Sequence, residues 1–287
     1  MKVLMAEVNI SEGKDLELVN QVKEELLLNN DVKLIDLNSD KDHNRTVFTY
    51  TGEPNAVLEG TKRLSKKAVE LIDMTTHKGS HPRIGAVDVV PFIPVKDVTT
   101  EEAVEIAKEY GKYLGTLGVS VYFYEDAHPD KRSLVKIRKG EYEALKEKME
   151  NGFLPDEGPT VFNPKSGGTV TGVRFPLIAF NVNLKSTDLD VAKKIVKAVR
   201  GASGGYQCVR AIALPVEGKD LVQISMNLIN YEKTPIHRVF ETIKLEARSF
   251  GIIVESTELV GPVPVMALED MMKFYLQVHS FDMEQVY

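Results

Sequence analysis

Apolar and polar positions alternate over KVLMAEV (2–8), VKLIDL (32–37) and RTVFTYT (45–51), which predicts three strands. Between the first two, Leu16, Val19, Val22 and Leu26 recur at three- and four-residue intervals, the pattern of a helix with one apolar face. Similar spacing carries Val57, Thr61, Leu64, Ala68 and Leu71 along a long helix spanning residues 54–74, and the apolar run AVDVVPFIPV (86–95) predicts a buried strand. Thr99-Thr100-Glu101-Glu102 has the form of a capping box and opens a helix to Thr116, after which VSVYFY (119–124) is a further strand. The first half thus reads β-α-β-β-α-β with one α–β unit added.

The second half repeats the order with an unrelated sequence. PLIAFNVNL (176–184), the helix of DVAKKIVKAV, VRAIALPV (209–216) and LVQISMNLI (221–229) precede a helix that Thr234 caps, with Pro235 at its first position and Gly251 at its end. IIVESTELV follows, and Pro264 opens a last helix. Both halves predict ferredoxin-like units in an α/β (α+β) fold with mixed and antiparallel sheets. The expected boundaries are 1–150 and 177–287, with 151–176 as a connector. Residues 150–176 hold five glycines and four prolines, too many for a regular element. A connector of that length is either functional or disordered, and its aromatics and valines favour order.

Composition narrows the partners. With 43% hydrophobic and 27% charged residues, the 287-residue chain can bury a sizeable core. A net charge of −6 and no Lys/Arg run exclude the footprint of a general nucleic-acid binder. One cysteine, Cys208, excludes an internal disulfide and a cysteine-rich zinc site. The start MKVLMAEVN lacks a signal-like leader and no apolar run is long enough to span a bilayer, so a cytoplasmic protein with no membrane partner is expected.

The predicted topology gathers polar side chains. In a ferredoxin-like unit the first strand-to-helix turn, the central hairpin and the second helix-to-strand turn leave the sheet at one edge. Here these are residues 9–13, 38–45 and 75–85. They bring Asn9, Ser11, Glu12, Asp40, Asp42, His43, Asn44, Arg45, His77, His81 and Arg83 to one rim. HKGSH places two of the chain's six histidines within five residues. His77-x-x-x-His81 has zinc spacing for a helix, but Gly79 and Pro82 oppose a helix there, and no metal is expected. A single imidazole acting as acid or base needs no such geometry. A structural loop remains the alternative. GGTVTG (167–172) is not a dinucleotide fingerprint, since no strand leads into it and no helix follows. His128, His237 and His279 read as isolated surface residues, and EYEALKEKME reads as a solvated helix face.

Six stretches together carry a family resemblance: NISEG (9–13), DHNRTVFTYTG (42–52), HKGSHPRIGAVDVVPFIPV (77–95), GEYEALKEKM (140–149), LIAFNVNL (177–184) and ELVGPVPVMAL (258–268). In order, over nearly the whole chain, they resemble the formiminotransferase domain of glutamate formimidoyltransferases, and a stand-alone form without the cyclodeaminase that follows it in animal proteins is expected. The resemblance implies two α/β subdomains as a double layer of sheets with helices outside, and a homodimer. It implies transfer of a formimidoyl group from N-formimidoyl-L-glutamate to tetrahydrofolate, the co-substrate, in histidine breakdown.

The family's general base falls on His81, and its folate-contacting stretch on Gly158, Pro159, Thr160, Val161, Phe162, Asn163, Pro164, Lys165, Ser166 and Gly167. Where the animal relatives have an aspartate, this chain has Asn38, so Asp36, Asp40 or Asp42 must supply that charge. A cationic amidine donor calls for carboxylate or amide acceptors, which Asp40, Asp42, Asn9 and Asn44 can provide. Both substrates carry glutamate carboxylates, which suit Arg45 and Arg83. The alternatives are a formyl transferase using 5-formyltetrahydrofolate and glutamate, a non-catalytic folate-binding module, and a metal-dependent hydrolase using His77 and His81.

Overall fold

Alternation along β1 (Val3–Ile10) puts Leu4, Ala6, Val8 and Ile10 on one face, where all four are fully buried. They meet Val19, Val22 and Leu26 of α1 (Leu16–Leu27) and Val57, Leu64 and Ala68 of α2 (Pro54–Leu71) in one apolar cluster. The computed structural model describes residues 2–278, 280, 281 and 285. Its first unit, Met1–Arg174, also contains β2 (Val32–Asp40), β3 (Arg45–Gly52), β4 (Val87–Lys96), α3 (Thr100–Thr116), β5 (Ser120–Glu125), α4 (Leu134–Arg138), α5 (Glu141–Glu150) and β6 (Gly168–Val173). The six-stranded sheet has the order β2-β3-β1-β4-β6-β5, whose first four strands form the ferredoxin-like arrangement. Helices α1 to α3 pack on one face; α4 and α5 contribute Ile137, Leu145 and Met149 to a cluster over Val89, Val170, Tyr122 and Tyr124 on the other.

β6 corrects the expectation that residues 150–176 hold no regular element. GTVTGV (168–173), which takes in all but the first residue of GGTVTG, is itself a strand, inserted between β4 and β5 and parallel to both. All six of its residues are buried. Thr169 and Thr171 turn their hydroxyls to Val87 O at 2.7 Å and Val90 O at 2.9 Å, which satisfies them in the core. Gly172 reads as a breaker in isolation, yet a Cβ there would stand 2.3 Å from Tyr124 O. Glycine allows the neighbouring backbone to approach.

The second unit, Phe175–Tyr287, is a complete split β-α-β-β-α-β set. It runs β7 (Ile178–Leu184), α6 (Leu189–Val199), β8 (Val209–Pro215), β9 (Val222–Leu228), α7 (Ile236–Ser249) and β10 (Val254–Val260), then α8 (Val265–Leu276). The sheet order is β10-β7-β9-β8. Helix α7 starts at Ile236 with Pro235 as its N-cap and no side-chain cap; Thr234 is buried instead. His237 is buried rather than on the surface, with its ring stacked on Phe274 at 4.4 Å. His128 is half-buried beside Asp156, and His279 lies outside the described residues.

Candidate active site

The three connections at one edge of the first sheet are laced together. Gly13 N donates to Asn44 Oδ1 at 3.0 Å, and Asn44 Nδ2 donates to Lys78 O at 3.0 Å. Ser80 N reaches Asp42 O at 3.2 Å, Thr46 Oγ1 reaches Glu12 O at 2.5 Å, and Ser11 Oγ reaches Gly85 O at 2.7 Å. Asn44 thereby joins all three segments, at a φ of 48° that asparagine tolerates better than most residues. Glu12 is committed to the approach to α1, where its Oε1 accepts from the backbone of Gly13, Lys14 and Asp15.

His77 is a latch in this lacing. Its Nε2 lies 3.0 Å from Asn44 O and its Nδ1 accepts from Arg83 Nε at 3.2 Å, so both ring nitrogens are engaged and the imidazole is neutral. Burial lowers its pKa from the usual histidine value, with the Arg83 charge acting the same way against the pull of the Asn44 carbonyl. The unfolded chain therefore binds the proton more readily than the folded one. Stability from this latch is present above about pH 6.5 and is lost as pH falls from there toward the folded pKa. Denaturant titrations should show the unmodified protein losing more stability between about pH 6.5 and 5 than His77→Gln. A ring-proton NMR midpoint for His77 at or above about 6.5 would contradict this.

His81 differs from its neighbour. Its Nε2 is buried without a hydrogen-bond partner and lies 3.6 Å from Asp88 Oδ2. Asp88 is 1% exposed, accepts from Ile84 N through Oδ1 at 2.9 Å, and forms an ion pair with Arg138 through Oδ2. Across from His81, the His43 ring stands edge-on at 6.3 Å between centroids. His43 Nδ1 is 2.7 Å from Asp40 Oδ2, and Asp40 Oδ1 accepts from the backbone of His43 and Asp42. The His43 backbone N–H, then its ring, hold the Asp40 pKa down to about 2, so this carboxylate stays charged at any working pH. Arg45, opposite Asp40 in the β2–β3 ladder, has a buried Nε with no partner. Burial lowers its pKa; Asp40 and Asp88 counter that effect while Arg138 adds to it, so Arg45 lies in the field of all three.

The remaining candidates divide by placement. Arg83 is 5% exposed, and its guanidinium is engaged by Glu143 at 2.6 and 2.9 Å and by Glu141 at 3.0 Å. Asn9 is half-buried and pairs with Val47, which in turn pairs with Asn38, so these share a face with Asp40 and Arg45. The Asp42 side chain is exposed, whereas its carbonyl holds Ser80. Residues 163–168 run beside the histidine loop. Met74 N donates to Lys165 O, Ala86 N to Ser166 O and Gly168 N to Ile84 O, while Tyr142 OH donates to Pro164 O at 2.6 Å. Asn163 Oδ1 closes the turn by accepting from Lys165 N. Gly158 to Phe162 lie farther along, where Ser120 Oγ donates to Pro159 O at 2.7 Å and Val161 is 77% exposed.

Four contributors go unread in the sequence. Asp88 was visible as the lone acid in the apolar run AVDVVPFIPV. Arg138 had no such signal. Glu141 and Glu143 correct the reading of EYEALKEKME as a solvated face: its first turn clamps Arg83, and Tyr142 N donates to Arg83 O at 2.7 Å.

Residues 3–174 match the formiminotransferase domain, N-terminal subdomain, and residues 179–285 match the formiminotransferase domain. A glutamate formimidoyltransferase of Streptococcus pyogenes serotype M1 is 42% identical over 285 residues, covering 98% of this chain and 95% of that protein. A glutamate formimidoyltransferase of Thermoplasma acidophilum is 42% identical over 280 residues, covering 96% and 92%. The formimidoyltransferase-cyclodeaminase of Mus musculus is 42% identical over 276 residues, covering 93% of this chain and 51% of that protein.

Proposed function

We infer that this chain, which belongs to the formiminotransferase family, transfers the formimidoyl group of N-formimidoyl-L-glutamate to tetrahydrofolate, releasing L-glutamate and 5-formimidoyltetrahydrofolate. The similarity to the two glutamate formimidoyltransferases over nearly their full lengths carries the reading. In the reaction, N5 of tetrahydrofolate uses its lone pair to form a bond to the amidine carbon. The tetrahedral adduct then loses the N5 proton to His81. As the bond from carbon to the glutamate nitrogen breaks, His81 returns a proton to that nitrogen, so glutamate leaves as a neutral amine. One imidazole serving both steps contributes about 10²–10⁴ in rate.

The other roles follow from chemistry at the same rim. Asp40, with Asp42 beside it, supplies negative charge for the cationic amidine. Its low pKa supports this. Arg45 receives a glutamate carboxylate, supported by its unpartnered buried Nε. We keep Arg83, Asn9 and Asn44 in the substrate set, the first and last acting through the loop geometry they fix. Gly158 to Gly167 form the folate-contacting stretch. The reading includes a cytoplasmic homodimer and no metal, nucleic-acid or membrane partner.

A coupled assay on the purified chain tests the reaction. Formimidoylglutamate should be preferred over formylglutamate in kcat/KM, and Asp40→Asn should erode the preference by about tenfold, the value of one charge-assisted hydrogen bond. Equal rates with both donors would replace the amidine donor with a formyl donor.

A further inference from the structure

We propose that Asp88 is a positioning residue for His81: it holds the imidazole with Nε2–H turned into the protein and Nδ1 turned outward as the working base, while Arg138 balances its charge. The proposal rests on the reading of His81 as the base and adds which nitrogen works and what fixes it.

The geometry begins in the β1–β4 ladder. Asn9 pairs with Val89 and Ile10 with Val87, so Asp88 is the extra residue of a β-bulge. Bulges re-aim a side chain that regular pairing would place elsewhere. Here the bulge delivers a carboxylate that is 1% exposed. One oxygen, Oδ1, accepts from Ile84 N, three residues beyond His81, and ties down the loop that carries the histidine. The other, Oδ2, faces Arg138 and His81 Nε2 together.

At 3.6 Å the contact with Nε2 is longer than a hydrogen bond. Catalytic contacts of this kind are often loose without substrate and tighten in its complex. What the free structure fixes is direction. Nε2 is the enclosed nitrogen and lacks any partner, and a buried N–H without an acceptor is costly. Asp88 is the acceptor at hand. With Nε2 protonated toward it, the neutral ring presents its lone pair at Nδ1.

Arg138 makes the arrangement sustainable. A buried carboxylate needs a partner to stay ionised, and α4 ends on the arginine that supplies one. Other charged or titratable groups around His81 are His43 from the β2–β3 turn, Asp40 and Arg45 from the strands flanking it, and His77 and Arg83 from its own loop. Among the described residues, only Asp88 combines full burial with a direct approach to a ring nitrogen of His81.

The test uses 15N-histidine-labelled full-length protein, with His81→Ala identifying the His81 signals, and pH profiles of kcat/KM. We expect the neutral ring to be the Nε2–H tautomer. In Asp88→Asn, which retains an oxygen for Ile84 N, that preference should be lost. The acidic limb of the profile should move to lower pH, as loss of a neighbouring opposite charge predicts. The kcat should fall about 10²-fold or more, with KM for tetrahydrofolate within about twofold. Should Asp88→Asn fail to fold, Arg138→Met gives the same readout with the opposite sign, because the unbalanced carboxylate raises the ring's titration.

An Nδ1–H tautomer in the unmodified protein overturns the proposal. So does an Asp88→Asn protein with unchanged tautomer and titration, even if it is less active, since that is the result of a purely structural role. If His81→Ala keeps full turnover, the assignment of His81 fails first; if it is inactive while Asp88→Asn leaves the ring unchanged, only the role of Asp88 falls.

Discussion

His81→Ala should lower kcat by about two to four orders of magnitude and leave tetrahydrofolate binding within about twofold. The asymmetry follows from position. His81 lies at a rim that also carries Asp40 and Arg45, and among the described residues its buried Nε2 makes no hydrogen bond that would hold another loop in place. On the proposed reading, removing it deletes the proton carrier and little else. His77→Ala behaves differently, because both nitrogens of that ring join segments of the rim. Its loss should appear as a lower melting temperature and a raised KM, with a smaller effect on kcat. A direct titration of tetrahydrofolate onto each variant, beside steady-state rates, separates the two. Equal losses of kcat in both would mean that the loop as a whole, and not one base, carries the chemistry.

Much of this was legible because the relevant physics is local. Period-two and period-3.6 patterns fixed β1 to β4, α1 and α2, and the order of those elements alone brings residues 9–13, 38–45 and 75–85 to one edge. What was not legible depends on contacts far apart in sequence. GGTVTG reads as a breaker until β4 and β5 are seen on either side of it. Arg45 and Arg83 look equivalent in the sequence. They part only when Glu141 and Glu143, some sixty residues from Arg83, enclose one and leave the other with an unpartnered nitrogen. Asn44 read as a substrate ligand, and its amide is seen to be engaged on both sides by backbone.

Gly79→Ala should lower kcat/KM by about 10- to 100-fold with secondary structure intact. A Cβ built on Gly79 would stand 2.3 Å from His43 O, 2.7 Å from Asn44 Cβ and 2.9 Å from His43 C. Two of these three are backbone atoms of the β2–β3 turn, so no side-chain rotation relieves the clash. The histidine loop and the turn must separate by several tenths of an ångström to reach even 3.0 Å. That separation stretches the contact of Ser80 N with Asp42 O and that of Asn44 Nδ2 with Lys78 O, and it carries His81 away from the side of the rim holding Asp40 and Arg45. Misplacement by about 1 Å is enough to cost a reaction about 10²-fold. Ser80→Ala is the matched control: it removes one exposed hydroxyl contact with Asp42 O, leaves the backbone approach free, and should stay within about twofold of the unmodified protein. Circular dichroism and melting curves on both variants show whether the fold persists, and the pH profile shows whether the surviving activity still uses the same base. An unaltered kcat/KM in Gly79→Ala would mean that the close approach of the two loops is incidental to catalysis, and that HKGSH owes its glycine to something other than the seating of His81.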